Sequence, residues 1–290
     1  MPPVIIAARQ SPLAVRQAEI VAAALAKRGA DAAIKTFSTL GDEIINRPLA
    51  DIGGKELFVK KLQSALVAGE ADIAVHSLKD MAARGAAEFC APAAGFAEDA
   101  RDVFVSEQYR ALREMPAGAA VGTSSPRRAA LLREYFPHLT IAPVRGNVQR
   151  RIAQMQSGAC GGLLLAAAGL RRLNLWEERY ELLPAAQFIP APGQGVLAAE
   201  CLASRRELTA LLARLSDPVC MARAAAERAF AAAAGGDCHT PLGAHAEVCG
   251  DEIRLSAFYA GGGHFRQTQT TAPREEPEAA GRKAAEILLK

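Results

Sequence analysis

Arginines and hydroxyl residues recur in this 290-residue chain wherever a strand-like run gives way to a helix-like one. Arg9 and Ser11 follow the first such run, and Thr123, Ser124, Ser125, Arg127 and Arg128 follow a later one. Arg145, Gly146 and Asn147 follow the next, with Arg150 and Arg151 a turn on, and Arg171 and Arg172 follow the last. In open α/β sheets ligands sit beyond the carboxyl ends of strands, at helix N-termini, where unpaired backbone N–H groups and the helix dipole favour anions. A guanidinium adds a planar fork that grips carboxylate or phosphate through two parallel bonds. The pattern predicts a cleft between two domains, lined by several guanidiniums and suited to a ligand with many carboxylates or phosphates. Arg150 and Arg171 are equally explained by solvent or by glutamate partners. Ser124-Ser125-Pro126-Arg127-Arg128 is not, because two adjacent arginines in a first helical turn oppose the dipole and call for something anionic.

His76-Ser77-Leu78-Lys79-Asp80 follows a buried run and falls at the same kind of edge. A Lys beside an Asp in a cleft can divide the work: the cation binds an anionic group, and the carboxylate stabilises a developing cation or moves a proton. Spacing alone does not separate this from a surface pair. With no partner carboxylate, the two-acid pattern of glycoside hydrolysis is excluded. His76 reads as a hydrogen-bonded structural histidine. Gly193-Gln194-Gly195 reads as a tight turn on the return from the second domain, serving as a hinge, as backbone approaching a ligand closely, or as both. Neither GxGxxG nor GxxxxGK[ST] occurs, so nucleotide binding has no motif support. Gly235-Gly236-Asp237-Cys238-His239-Thr240-Pro241-Leu242-Gly243 puts a cysteine in a Gly-rich loop, where it is exposed enough to react. Nucleophile, covalent cofactor anchor and idle thiol are all open on that local sequence. The six cysteines form no CxxC pair, which suggests neither a zinc site nor a redox motif.

These groups need elements to hold them. Val4–Arg9 reads as a strand. Ser11-Pro12 reads as an N-cap and first helical residue, opening a helix over Leu13–Lys27 that stops at Gly29. Ala33–Thr39 is a second strand, 41–56 a long loop, Leu57–Val67 a helix and Ile73–Val75 a buried strand. Such β-α-β-α-β order implies a parallel sheet. It returns as a strand at Ala120–Gly122, a helix opened by Ser125-Pro126 over Arg127–Tyr135, a strand at Thr140–Val144, a helix at Val148–Gln156 and a strand at Gly162–Leu165. After Gly195 the pattern changes to helices over Arg205–Leu215 and Val219–Ala234, strands across 246–271 with a turn at Gly261-Gly262-Gly263, and a closing helix over Glu275–Leu289.

Composition bounds the function. Half the residues are nominally hydrophobic, but 63 are alanine, so the strongly apolar fraction is ordinary. A net charge of +3 without a basic stripe argues against a dedicated nucleic-acid binder. Arginine outnumbers lysine 26 to 8, which a GC-rich genome explains for most surface positions but not for the clusters. No apolar run approaches the roughly 18 residues of a membrane span, and the first residues do not read as a signal peptide, so a cytoplasmic protein is expected.

Taken in register, the motifs resemble the hydroxymethylbilane synthase (porphobilinogen deaminase) family along essentially the whole chain. The resemblance rests on Arg9-Gln10-Ser11-Pro12-Leu13-Ala14, Thr39-Leu40-Gly41-Asp42, Gly54-Lys55 with Leu57-Phe58-Val59-Lys60, and Asp72 through Asp80. It continues through Gly122-Thr123-Ser124-Ser125-Pro126-Arg127-Arg128, Arg145-Gly146-Asn147-Val148, Ala168-Gly169-Leu170 with Arg172, Pro192-Gly193-Gln194-Gly195 and the Cys238 loop. It implies an α/β protein with two periplasmic-binding-protein-like α/β domains, 1–95 with 196–214 and 100–190, plus a small C-terminal α+β domain, 218–290, carrying the cofactor cysteine. It implies the head-to-tail condensation of four porphobilinogens, with loss of ammonia and final release of linear hydroxymethylbilane by water. The implied cofactor is dipyrromethane, held by a thioether to Cys238.

Each porphobilinogen carries an acetate and a propionate, so the arginine-lined cleft answers the charge of a growing chain. Asp80 matches the carboxylate that stabilises the azafulvenium cation left by ammonia and handles pyrrole protons. Arg9, Ser11, Lys55, Lys79, Thr123, Ser124, Ser125, Arg127, Arg128, Arg145, Arg151, Arg172, Gln194 and Gly195 match positions that bind cofactor or substrate. The 41–56 loop would be a lid. No metal, nucleic acid or membrane partner is expected, and the family implies a monomer. Lys60-Lys61-Leu62-Gln63 departs from the family's acidic residues and reads as surface variation; Met81-Ala82 stands where a proline usually follows Lys-Asp. The alternative is a non-catalytic protein whose two lobes close on a carboxylate ligand; it would need neither the Lys79-Asp80 pair, nor a reactive cysteine, nor a third domain.

Overall fold

A computed structural model describes residues 3–38, 56–83, 85–90, 93–236 and 240–290. Contacts divide the chain into two compact units, Met1–Ala97 with Val196–Met221 and Glu98–Gly195 with Ala222–Lys290.

The first unit runs β1 (Val4–Arg9), α1 (Pro12–Ala26), β2 (Ala32–Phe37), α2 (Glu56–Val67), β3 (Ile73–Ser77) and β4 (Ala93–Gly95). Much later in the chain it regains a strand, β10 (Leu197–Glu200), and a helix, α6 (Arg206–Ala213). The sheet order is β2-β1-β3-β10-β4, with β1, β2 and β3 parallel and β10 antiparallel to both its neighbours. Ile6, Ala7 and Ala8 are wholly buried because both faces of the sheet are covered. Ile6, Ala8, Ile73 and Val75 pack with Val21 and Leu25 of α1, while Ala7 and Ala74 pack with Leu62 and Leu66 of α2. Ser11 caps α1, accepting the Ala14 N–H at 3.3 Å with Pro12 as first helical residue, as the sequence predicts. The helix gives way to Gly29, which has φ 77°, a left-handed conformation that costs glycine nothing.

The second unit contains β5 (Asp102–Val105), β6 (Ala120–Gly122), α3 (Pro126–Tyr135), β7 (Thr140–Ala142), α4 (Val148–Gln156), β8 (Gly162–Ala166), α5 (Ala167–Arg172) and β9 (Glu181–Leu182). Its sheet order, β7-β6-β8-β5-β9, parallels the first: three parallel strands, then an antiparallel one, here supplied by the strand that precedes β6 in the chain. The unit also holds α7 (Pro218–Ala233) from Ala222 onward, an antiparallel sheet of β11 (Leu242–Cys249), β12 (Glu252–Tyr259) and β13 (Arg266–Pro273), and α8 (Pro277–Leu288). Gly281 of α8 lies so close to the backbone of α7 at Ala226 and Phe230 that no side chain fits there.

The α/β class and the two like-wired sheets are those the sequence predicts, with shifts at element ends. β3 runs two residues past the predicted Val75, and β7 stops at Ala142 instead of Val144. β11 starts at Leu242, four residues before the predicted 246. Gly243 hides the alternation there, since it packs against the Phe258 ring and the Ile189 carbonyl instead of presenting a side chain. Of the loop expected over 41–56, residues 41–55 lie outside the described residues, and Glu56 already begins α2. Among the described residues no helix is long and apolar enough to cross a membrane, and no cluster of His, Cys, Asp and Glu could hold a metal ion.

Candidate functional site

In the first unit the candidate residues gather at one sheet edge. Arg9 ends β1 and Ser11 caps α1, while Lys79 and Asp80 lie in a single 3-10 turn, Leu78–Asp80, directly after β3. Because β1 and β3 are parallel neighbours, all four stand at the same carboxyl edge. Lys79 and Asp80 are half-buried. The turn is held from below: the Leu78 N–H donates to the Val196 carbonyl at 3.0 Å, and Gln17 Nε2 donates to Ser77 Oγ at 2.9 Å. His76 is buried, as a structural histidine should be, but the hydrogen bond expected of it is not made at Nε2. Its Nε2 lies 3.0 Å from Glu200 Oε1 without the alignment of a hydrogen bond. Gln63, expected on the surface, is half-buried and donates to that same Glu200 oxygen at 3.0 Å.

In the second unit β6, β7 and β8 are parallel, so Thr123, Ser124, Ser125, Arg145 and the residues of α5 also share a carboxyl edge. Ser125 caps α3 by accepting the Arg128 N–H, and its own N–H donates to Thr123 Oγ1 at 3.2 Å. Ser124 Oγ donates to the Val144 carbonyl at 3.1 Å. Asn147 caps α4 through the Arg150 N–H at 2.9 Å, and Arg151 Nε donates to the Gly146 carbonyl at 2.9 Å.

Arg127 and Arg128 are buried, and the anion that their helix turn calls for is Asp102, which sequence reasoning missed. Asp102 opens β5 and pairs in register with Ala166, the last residue of β8, so an antiparallel strand brings a carboxylate to a carboxyl edge. It is fully buried, accepts from Arg127 Nη2 at 2.7 Å and Arg128 Nη2 at 2.8 Å, and takes a further hydrogen bond from Gln194 Nε2 at 2.9 Å. Burial would raise its pKa, but the two guanidiniums hold it well below the ordinary carboxylate range. Arg127 Nη1 donates to the Ile189 carbonyl at 2.8 Å, and Arg128 Nη1 to the Leu164 carbonyl at 2.9 Å. Among the described residues, Arg128 Nε is buried without a hydrogen-bond partner. The signal available in the sequence was an acidic residue directly before the apolar run Val103-Phe104-Val105.

The Gly193-Gln194-Gly195 turn is tied to this cluster. Besides Asp102, Gln194 Nε2 reaches the Ala100 carbonyl at 2.7 Å, and Arg172 Nη2 donates to the Gly195 carbonyl at 2.6 Å. Gly195 has φ 88°, and a Cβ there would collide with the Glu98 carbonyl, so backbone approach fixes the residue type. The Gly193 N–H donates to Glu227 Oε2 at 2.7 Å, and the Ala246 N–H to Glu227 Oε1 at 2.9 Å. Burial pushes the Glu227 carboxyl up to about 7 and drives His245, 3.8 Å away, down to about 4. Arg171 pairs with Glu98 at 3.1 Å and lies 4.8 Å from the centre of the Trp176 ring, in line with its structural explanation. Lys55 and Cys238 lie outside the described residues.

Two like-wired α/β sheets, each with a capped helix and cationic side chains at its carboxyl edge, define an α/β protein. Residues 4–210 match the family model for the dipyromethane cofactor binding domain of porphobilinogen deaminase, and residues 221–290 match the model for its C-terminal domain. The chain is 43% identical over 288 residues to a porphobilinogen deaminase of Bordetella parapertussis, covering 98% of this chain and 92% of that one. It is 43% identical over 293 residues to that of Chromobacterium violaceum, covering 100% and 95%. Among solved structures, a periplasmic substrate-binding protein of an ABC transporter from Coxiella burnetii overlays with a TM-score of 0.46 at 16% identity, over 78% of this chain and 96% of that one. The chain belongs to the porphobilinogen deaminase family.

Proposed function

We propose that this protein is a transferase of tetrapyrrole biosynthesis, a hydroxymethylbilane synthase. It joins four porphobilinogens head to tail with loss of ammonia and releases the linear product with water. The observation that carries this reading is the Lys79-Asp80 turn at the carboxyl edge of β3, in a chain that matches the family from end to end. In each step a C–N bond breaks as ammonia leaves. A C–C bond forms to a free pyrrole carbon, and that carbon then gives up its proton. Asp80, held half-buried, stabilises the cationic pyrrole and takes the proton. Lys79 binds an adjacent carboxylate.

The cofactor is dipyrromethane, bound by a thioether to Cys238, and it supplies the free pyrrole end on which the chain is built. The donor set suits its carboxylates: a buried N–H with no partner costs free energy, and an acidic group reaching Arg128 Nε would satisfy it. Arg9, Ser11, Lys55, Thr123, Ser124, Ser125, Arg127, Arg145, Arg151, Arg172, Gln194 and Gly195 complete the binding set. Within it, Arg127 and Arg128 act from fixed positions, because Asp102 holds them. In domain terms we propose 1–95 with 196–214, 100–190 and 218–290. The protein works as a cytoplasmic monomer, with neither membrane nor nucleic acid as partner.

Intact mass of the purified protein, followed by peptide mapping, tests the reading. The expected result is a two-pyrrole excess located on Cys238 and a ladder of pyrrole units on adding porphobilinogen. An unmodified chain that gains no ladder overturns it, in favour of a two-lobed carboxylate-binding protein.

A further inference from the structure

In the first unit, Phe89 and Leu202 form an antiparallel bridge, which sets Cys90 opposite Cys201 on adjacent stretches of chain. The Cys90 N–H donates to the Cys201 carbonyl at 2.9 Å, and the Cys201 N–H donates to Cys90 Sγ at 3.3 Å. The two sulfurs stand 3.6 Å apart, leaving about 1.5 Å to close to a disulfide bond. Both thiols are buried, and neither belongs to the proposed site. Their surroundings make them unequal. The Cys201 thiol raises the pKa of Cys90, with burial acting in the same direction. Cys201 is drawn below an ordinary thiol by Cys90, the Thr209 hydroxyl 3.5 Å away and the charge of Arg205.

We propose that Cys90 and Cys201 are a redox pair that closes to an intramolecular disulfide when the protein meets hydrogen peroxide. Cys201, as thiolate, attacks one peroxide oxygen; the O–O bond breaks, hydroxide leaves and Cys201 becomes a sulfenic acid. The Cys90 sulfur then attacks the Cys201 sulfur, the S–O bond breaks, and the Cys90 proton leaves with the oxygen as water. Two thiols are oxidised and one peroxide is reduced to two waters. The bond joins positions 111 residues apart. It fastens the segment that follows Asp80 to the exit of β10, whose Leu197 pairs with Ser77 at the root of the Lys79-Asp80 turn.

The test treats purified holoenzyme with hydrogen peroxide, blocks remaining thiols by alkylation and maps unreduced peptides. The expected result is one cross-linked peptide pair containing Cys90 and Cys201, lighter than its two parts by two hydrogens and separated again by dithiothreitol. Tm rises by roughly 5 °C on oxidation and returns on reduction. Cys90→Ser and Cys201→Ser each remove the cross-link and the Tm shift. Separate alkylation of both residues after peroxide, or irreversible oxidation of Cys201 without a link, overturns the proposal. Because the peptide map uses the unmutated protein, a variant that misfolds does not spoil the test.

Discussion

At equivalent points of two sheets with one wiring, this chain places different chemistry. In the first, Ser11-Pro12 opens a helix whose next residues are Leu13 and Ala14, and the antiparallel strand begins with Leu197 opposite Ser77. In the second, Ser125-Pro126 opens a helix whose next residues are Arg127 and Arg128, and the antiparallel strand begins with Asp102 opposite Ala166. The cap is the same in both because it needs only a local hydroxyl and a free N–H. The charges differ as a set: two cations in a first turn are held only where a carboxylate arrives to meet them. The apolar version leaves its edge to the Lys79-Asp80 turn, whereas the charged version is a fixed electrostatic platform.

The largest test of this division of labour is on chemistry. Asp80→Asn lowers kcat by roughly 10²–10⁴-fold while the protein keeps its pyrrole adduct and its Tm, as steady-state rates, intact mass and calorimetry would read. Retained turnover would remove Asp80 from the mechanism. Asp102→Ala strikes the platform instead. It strands two buried guanidiniums and costs about 3–5 kcal/mol in denaturant unfolding. Giving the second sheet the residues of the first, with Asp102→Leu, Arg127→Leu and Arg128→Ala together, recovers most of that stability and no activity. If the triple variant stays as unstable as Asp102→Ala, the cluster is not a self-contained unit.

Glu227→Gln leaves one of the Gly193 and Ala246 N–H groups without an acceptor, at a cost of about 1–3 kcal/mol. Its pH signature is specific. Glu227, raised from 4.5 to about 7, contributes stability that is complete below pH 4.5 and lost as pH rises through about 7. His245, lowered from 6.5 to about 4, contributes stability that is complete above pH 6.5 and lost as pH falls through about 4. The two slopes oppose each other between pH 4.5 and 6.5. The variant's Tm therefore climbs more steeply with pH across that window than the parent's, and parallel curves would refute the assignment. The smallest effects compare the shared feature. Ser11→Ala and Ser125→Ala each cost about 1 kcal/mol, and a much larger loss at Ser125 would mean that its cap also supports the arginine cluster.

The elements that position the site were legible where their signals are local. Ser-Pro caps, Gly29 and the strand-like runs placed β1, β6, α3 and α4 within a residue of their observed bounds. The short strands β4, β5 and β10 left no periodicity to read, and two of them are the antiparallel strands that complete the sheets. Gly243 hid the start of β11 for a similar reason.

Residue types, spacing and end-to-end family motifs, all properties of the chain order, determined the α/β class, the helix caps and the candidate binding and catalytic residues. Tertiary structure alone decided which of those groups have an internal partner. Asp102 meets Arg127, Arg128 and Gln194 across separations of 25, 26 and 92 residues. Glu227 reaches Gly193 across 34, and Cys201 meets Cys90 across 111. A buried charge is tolerable only when its counter-charge is close in space, and sheet registers, which no local pattern encodes, set that proximity.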